Sequence, residues 1–352
     1  MTALGVGGFG SVFAEGDKAV KVFKHLSPMV AEAFVTRYVS MSECPQIIAL
    51  KARSFNNLSL KTERWHCSLR YAMSVIGMNP QQRHRVFRDV LLAVAHLEAL
   101  HIVHADIKPG NIFVNDTLDR AVLGDFGISS CSGSAKVGWT TPEYAPKWAI
   151  NHRTHDAFGL ALLGLELLYN HDHPAGKHHN KATIREIVEK VIKDPEEKRC
   201  FLGLLHSNPK RVWKASALLE RMYPADKIDI VSGVFLPYPT GYSLDDQEWL
   251  CVSYHLDRLA VLHRFRRPNR CRECCESVVA RVPAGNHTLI LYSAALAYIF
   301  ACVFGYSVKT EKEDRMTAEQ AAEYACCDRQ DIVNAIDTTL SCKDAVVLMF
   351  TQ

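Results

Sequence analysis

Residues 104 to 127 carry the pattern that most restricts how this chain can fold. His104-Ala105-Asp106-Ile107-Lys108-Pro109-Gly110-Asn111 sets an acid, a cation and an amide at offsets 0, 2 and 5 in one loop. Nineteen residues after Asp106, behind the strand-like Ala121-Val122-Leu123, comes Asp125-Phe126-Gly127. Polar groups so close to apolar segments are costly unless the fold gathers them at a site. Asp106 can accept and orient a hydroxyl proton, and Lys108 can neutralise an anionic group beside it. Asn111 and Asp125 offer oxygens to a hard divalent cation such as Mg²⁺.

The start of the chain adds a complementary pattern. Gly5, Gly7 and Gly10, followed by Val12, form G-x-G-x-x-G-x-V, a loop whose missing side chains let backbone N–H groups approach phosphate oxygens. A dinucleotide-binding reading needs a full strand before the first glycine and a helix after the third. Here four residues precede Gly5 and strand-like residues follow Gly10. Lys21 lies in the apolar run Ala19-Val20-Lys21-Val22-Phe23, where a lysine needs an anionic partner. Glu32 on the next segment is the candidate carboxylate, with Glu43 as its competitor.

Hydrophobic periodicity supplies the frame. Residues 3–24 read as a β-hairpin, and Ser27-Pro28 opens a helix whose apolar spacing runs from Ala31 to Met41. A second helix is expected over 84–101, with Val86, Val90, Leu91, Val94 and Leu97 on one face, and residues 151–223 are mostly helical. The prolines and glycine of Leu236-Pro237-Tyr238-Pro239-Thr240-Gly241 read as a boundary. It divides the chain into domains 1–235 and 240–352. Five helices are expected beyond it, over 243–265, 269–281, 287–304, 317–327 and 329–341.

The ordered set of glycine loop, strand lysine, Asp-x-Lys-x-x-Asn and Asp-Phe-Gly resembles the eukaryotic-type serine/threonine protein kinases over residues 1 to about 230. The resemblance implies an α+β, two-lobed fold: a β-rich N-lobe over a helical C-lobe, with ATP in the cleft, followed here by an all-α domain. It implies transfer of the ATP γ-phosphoryl group to serine or threonine hydroxyls of protein substrates. Asp106 and Lys108 are then catalytic. Leu4, Gly5, Gly7, Gly10, Val12, Ala19 and Lys21 bind ATP, Glu32 pairs with Lys21, and Asn111 and Asp125 hold Mg²⁺. Thr141 to Pro146 resembles the substrate-docking loop, Asp156 the aspartate that braces the catalytic loop, and Leu69 to Met73 the hinge to adenine. Lys108 matches the serine/threonine branch.

Departures from the family pattern set further expectations. Ala105 replaces the arginine that pairs with a phosphorylated activation loop, so activity without loop phosphorylation is expected. Lys147 stands where the family has a glutamate that pairs with a late arginine, a role Arg211 approximates one position early. Ala105, Lys147 and the very short strand before Gly5 motivate the alternative of a pseudokinase scaffold that binds partners or nucleotide without transferring phosphate.

The segment after residue 240 reads as a regulatory or partner-binding domain. It resembles a cyclin box in Gln247 to Val252, in the apolar helix Leu289 to Phe304 and in Asp331 to Asp337, although no lysine ends the apolar helix. Thr288 to Val308 is 21 residues without a charge, long enough to span a bilayer, with arginines 264, 266, 267, 270 and 272 on the kinase side. The amphipathic neighbours favour a buried central helix. Cys271, Cys274 and Cys275 match no zinc module and read as thiols on a helix, and the histidines around 171–179 as a solvated loop. A formal charge of +3 gives no reason to expect a nucleic-acid partner. Twelve irregularly spaced cysteines and the glycine motif at Gly5 point to an intracellular protein, cytoplasmic or nuclear.

Overall fold

Alternating apolar residues in the first 63 positions build a five-stranded antiparallel sheet around one helix. In a computed structural model, the structure describes residues 2–131, 144, 153–172, 180–224, 246–263, 265, 268, 270–280, 286–304 and 315–350. Along the chain lie β1 (Thr2–Val6), β2 (Gly10–Glu15), β3 (Lys18–Phe23), α1 (Leu26–Ser40), β4 (Leu50–Ser54), β5 (Ser59–Glu63) and β6 (Cys67–Ser68). Next come α2 (Leu69–Tyr71), continued by a π-helical turn Ala72–Ile76, then α3 (Pro80–Ala99), β7 (Ile102–Val103), β8 (Ile112–Val114), β9 (Ala121–Leu123) and β10 (Ser130–Cys131). The remaining helices are α4 (Arg153–Tyr169), α5 (Lys181–Val191), α6 (Pro195–Leu204), α7 (Ala215–Met222), α8 (Asp246–His263), α9 (Cys271–Val279), α10 (Asn286–Phe304), α11 (Ala318–Tyr324), α12 (Arg329–Ser341) and α13 (Lys343–Phe350). The α+β class expected from sequence is the class observed.

These elements form two compact units. One contains β1–β5 and α1 together with α8–α13. Its sheet runs in the order β1-β2-β3-β5-β4, so the lysine strand β3 is central. The boundary expected near 236–241 lies outside the described residues. In space, the helices beyond it join the sheet and α1 in one unit.

Within that unit α10 packs against α8, α9, α11 and α12 and also against α1. Residues 294–301 of α10 are all buried, which explains its lack of polar periodicity. Among the described residues, no helix is long and apolar enough to cross a membrane. Cys271, Cys274 and Cys275 are buried on α9, which packs on α13.

Two helix starts differ from expectation. α1 begins at Leu26, so Pro28 sits in the first turn, where the backbone N–H it lacks has no intrahelical acceptor. α3 begins at Pro80 rather than 84, because Asn79 and Gln82 form a reciprocal capping box with both bonds at 2.9 Å. A sixth C-terminal helix, α13, was not foreseen. One extended residue, Cys342, separates it from α12, and eight residues are too few for periodicity to tell helix from strand.

The other unit holds Ser42–Ala49 and the chain from Arg64 through α7. α3 buries Phe87, Val90, Leu91 and Val94. α4 is buried from Ala157 through Leu163. Two small sheets, β6-β8-β9 and β7-β10, frame the polar loop that follows α3.

Candidate active site

In the first unit, strand register decides which side chains share a face. Val12 pairs directly with Lys21, and Ala19 lies two residues along the same strand, so all three lie on one side of the sheet. Gly5 pairs with Val12 across β1–β2, and the Gly7 N–H closes the turn on the Gly10 carbonyl at 2.8 Å. Leu4 is about half exposed on β1.

The glycines divide by role. A Cβ on Gly10 would lie 2.0 Å from the Val22 carbonyl oxygen, whereas one on Gly5 would meet nothing within 4 Å. Gly10 is therefore needed for strand pairing. Gly5 leaves open backbone where a phosphate could approach. Lys21 Nζ lies 2.6 Å from Glu32 Oε2, both side chains largely buried, and 5.1 Å from the Phe23 ring centroid. Of the two carboxylates considered from sequence, Glu32 is the one the fold brings to Lys21.

In the second unit the His104–Asn111 loop is held from beneath. Asp156, near the start of α4, accepts the backbone N–H groups of His104 and Ala105, each at 2.8 Å. Ala105 has φ of +67° and Asp125 of +61°, conformations costly for non-glycine residues and sustained only by surrounding structure. Burial pushes the Asp156 carboxyl above its usual range, and the His104 ring and the two backbone donors offset only part of that. The fully buried His104 bonds the Gly124 carbonyl at 3.0 Å through Nε2 and meets the Phe126 ring edge-on at 5.1 Å.

Above that support, three expected residues converge. Lys108 Nζ donates to Asp106 Oδ2 at 2.6 Å, and Asn111 Nδ2 donates to the same oxygen at 2.8 Å and to the Asp106 carbonyl at 2.9 Å. Asn111 thus spends amide hydrogens on Asp106, which leaves its amide oxygen as the atom suited to a cation. The Gly124 N–H bonds the Asn111 carbonyl at 2.9 Å, and Ile112 pairs with Leu123, so Asn111 and the exposed Asp125 sit at neighbouring strand ends. An amide oxygen beside a carboxylate is a donor set that fits Mg²⁺.

Of the expected docking loop, Tyr144 is described; Lys147 and the other residues of Thr141–Pro146 lie outside the described residues. Tyr144 is buried and bonds Glu166 of α4. Arg70 of α2 reaches both, donating to Glu166 at 2.6 Å and to the Tyr144 hydroxyl at 2.8 Å. Burial works against the Arg70 charge, but Tyr144 and Glu166 together raise its pKa above the ordinary value. Burial and the Glu166 carboxylate push the Tyr144 hydroxyl well up. Sequence reasoning missed this triad, since Arg70 and Glu166 belong to no spaced motif.

The expected hinge at Leu69 to Met73 is corrected. Leu69–Ile76 is helical, Leu69 is fully buried, and backbone groups bonded within a helix cannot pair with a base. Arg211 lies exposed on a 3₁₀ turn.

The comparisons with known proteins agree with this geometry. The family model described as "Protein kinase domain" matches residues 1–222. A serine/threonine-protein kinase/endoribonuclease IRE1 of Oryza sativa subsp. japonica is 24% identical over 251 residues, covering 59% of this chain and 28% of that protein. The serine/threonine-protein kinase nekl-2 of Caenorhabditis elegans is 26% identical over 149 residues, 35% of this chain and 42% of its own length. The human serine/threonine-protein kinase/endoribonuclease IRE2 is 32% identical over 118 residues, 28% of this chain and 12% of that protein. The chain thus spans less than half the length of each of these relatives.

Proposed function

Because this chain belongs to the protein kinase family, we propose that it is an active serine/threonine kinase, transferring the γ-phosphoryl group of ATP to serine or threonine hydroxyls of protein substrates. The observation that carries this reading is the convergence of Lys108 and Asn111 on one oxygen of Asp106. Two donors fix the orientation of that carboxylate, as a group receiving a hydroxyl proton requires. The substrate oxygen then bonds to the γ-phosphorus as the bond to the leaving ADP oxygen breaks. Lys108 offsets charge on the moving phosphoryl group.

Lys21, fixed by Glu32, holds the α- and β-phosphates, and the open backbone at Gly5, beside the turn that Gly7 closes, covers them. Leu4, Val12 and Ala19 supply apolar contact to the nucleotide. Asn111 and Asp125 would hold Mg²⁺, which supplies charge neutralisation to the phosphates when bound. The names of the relatives support the serine/threonine assignment. An intracellular setting, cytoplasm or nucleus, belongs to the same reading.

The test is incorporation of labelled γ-phosphate into a basic protein and into the chain itself, with Mg²⁺, wild type beside Asp106→Asn. We expect the variant to lose about 10²- to 10⁴-fold in rate while still binding ATP. A folded wild type that binds ATP and transfers nothing would overturn the reading in favour of a pseudokinase scaffold.

A further inference from the structure

The middle of α1, from Glu32 to Thr36, has no solvent face. Ala33, Phe34, Val35 and Thr36 are consecutive and each at most 3% exposed, and at 100° per residue they cover a full turn. Met29, Val30, Tyr38 and Val39 are equally buried. A helix lying on a sheet alone would keep an outer polar stripe. The second cover comes from the C-terminal helices. α1 packs on β3, β4 and β5, and also on α10, α12 and α13.

Both ends of α1 are tied to these helices. Near its start, Cys302 of α10 lies 3.4 Å from Ser27. Near its end, the Phe350 ring of α13 stacks on Tyr38 with centroids 4.5 Å apart and planes 14° apart. A polar rim closes the edge: Arg53 of β4 bonds the Asp337 carboxylate at 2.9 Å and Ser341 at 2.7 Å, and Gln330 bonds Asn56 at 2.9 Å. Glu32 lies on this same helix, about 9 Å along the axis from Tyr38. Rotation of α1 by one residue would swing it about 100° off Lys21.

We propose that α10, α12 and α13 are a built-in activating element: they clamp α1 so that Glu32 stays on Lys21, with Tyr38 and Phe350 as positioning residues. The inference rests on the kinase reading above. It gives residues 240–352 an occupant for their docking face, the chain's own α1, and so a route to the activity without loop phosphorylation expected from Ala105.

The experiment uses the full chain as wild type, Phe350→Ala, the milder Phe350→Leu, Glu32→Gln, and each Phe350 change combined with Glu32→Gln. Amide hydrogen exchange in α1 and initial phosphorylation rates are both read. We expect Phe350→Ala to speed exchange at residues 30–36 about tenfold while β2 and β3 stay protected, with Phe350→Leu intermediate. We expect kcat to fall between about ten- and a hundredfold, and no further fall when the change is made in Glu32→Gln.

Equal losses with and without Glu32 would overturn the proposal, as would unchanged α1 exchange in a folded Phe350→Ala protein. If Phe350→Ala fails to fold, Phe350→Leu decides by the same criteria. A wild type that transfers no phosphate refutes the kinase reading alone, because the exchange measurement still decides whether the helices clamp α1.

Discussion

Asp156 holds the backbone N–H of Ala105, 51 residues earlier in the chain, at 2.8 Å, and so fixes the one strained residue next to Asp106. Asparagine at 156 could accept one of the two N–H groups but would turn an NH₂ toward the other. Leaving a buried donor unsatisfied and removing the charge-assisted bond costs about 3 kcal/mol. Asp156→Asn is therefore expected to lower stability by about that amount and kcat by about a hundredfold, through displacement of Asp106. Denaturant unfolding and initial rates check this; an unchanged kcat would show that the loop holds its shape without Asp156.

The glycine loop makes a contrasting pair of variants. Gly5→Ala adds a methyl to open space, so stability should change by less than about 0.5 kcal/mol, while KM for ATP rises as backbone approach is blocked. Gly10→Ala puts a methyl against the Val22 carbonyl and should destabilise the sheet by about 1–3 kcal/mol. Thermal melts and ATP titration separate the two. Equal destabilisation would contradict the division of roles.

The triad of Arg70, Tyr144 and Glu166 predicts a change in protein-substrate affinity. Tyr144→Phe keeps the ring and removes the hydroxyl, and the Arg70–Glu166 bond can persist. The hydroxyl's bonds to Arg70 and Glu166 are both lost, and about 1 kcal/mol of that loss falling on the docking of substrate corresponds to about a fivefold rise in KM for the protein substrate, with KM for ATP unchanged. If both constants rise together, the triad supports the unit as a whole and not the docking loop.

What the sequence made legible follows from where information is local. Asp106, Lys108 and Asn111 lie within six residues, so loop chemistry alone brings them together. The Lys21–Glu32 pair was legible because a lysine in an apolar strand demands a partner. Tyr144, Arg70 and Glu166 come from three separate segments, and no spacing rule connects them. The clamp on α1 left one readable trace that went unused: the apolar run Met29-Val30-Ala31 and Ala33-Phe34-Val35 is too evenly distributed for a helix with a wet face. Such a helix needs two covers, and the sheet is one.

His96 gives a pH prediction with a definite sign. It is buried on α3, bonds Ser42, and burial holds its pKa below the usual 6.5. The folded protein then binds this proton less readily than the unfolded chain, so stability is complete above about pH 6.5 and falls as pH drops toward the lower folded pKa. His255 shifts in the same direction, whereas Asp89 and Asp156, both raised by burial, contribute stability that is lost as pH rises from about 4. The total curve therefore mixes signs, but the difference between wild type and His96→Gln isolates one group. Unfolding free energies between pH 5 and 7.5 should show the wild type losing ground relative to the variant as pH falls below about 6.5. A difference that stays constant over that range would mean that His96 titrates alike in the folded and unfolded chain.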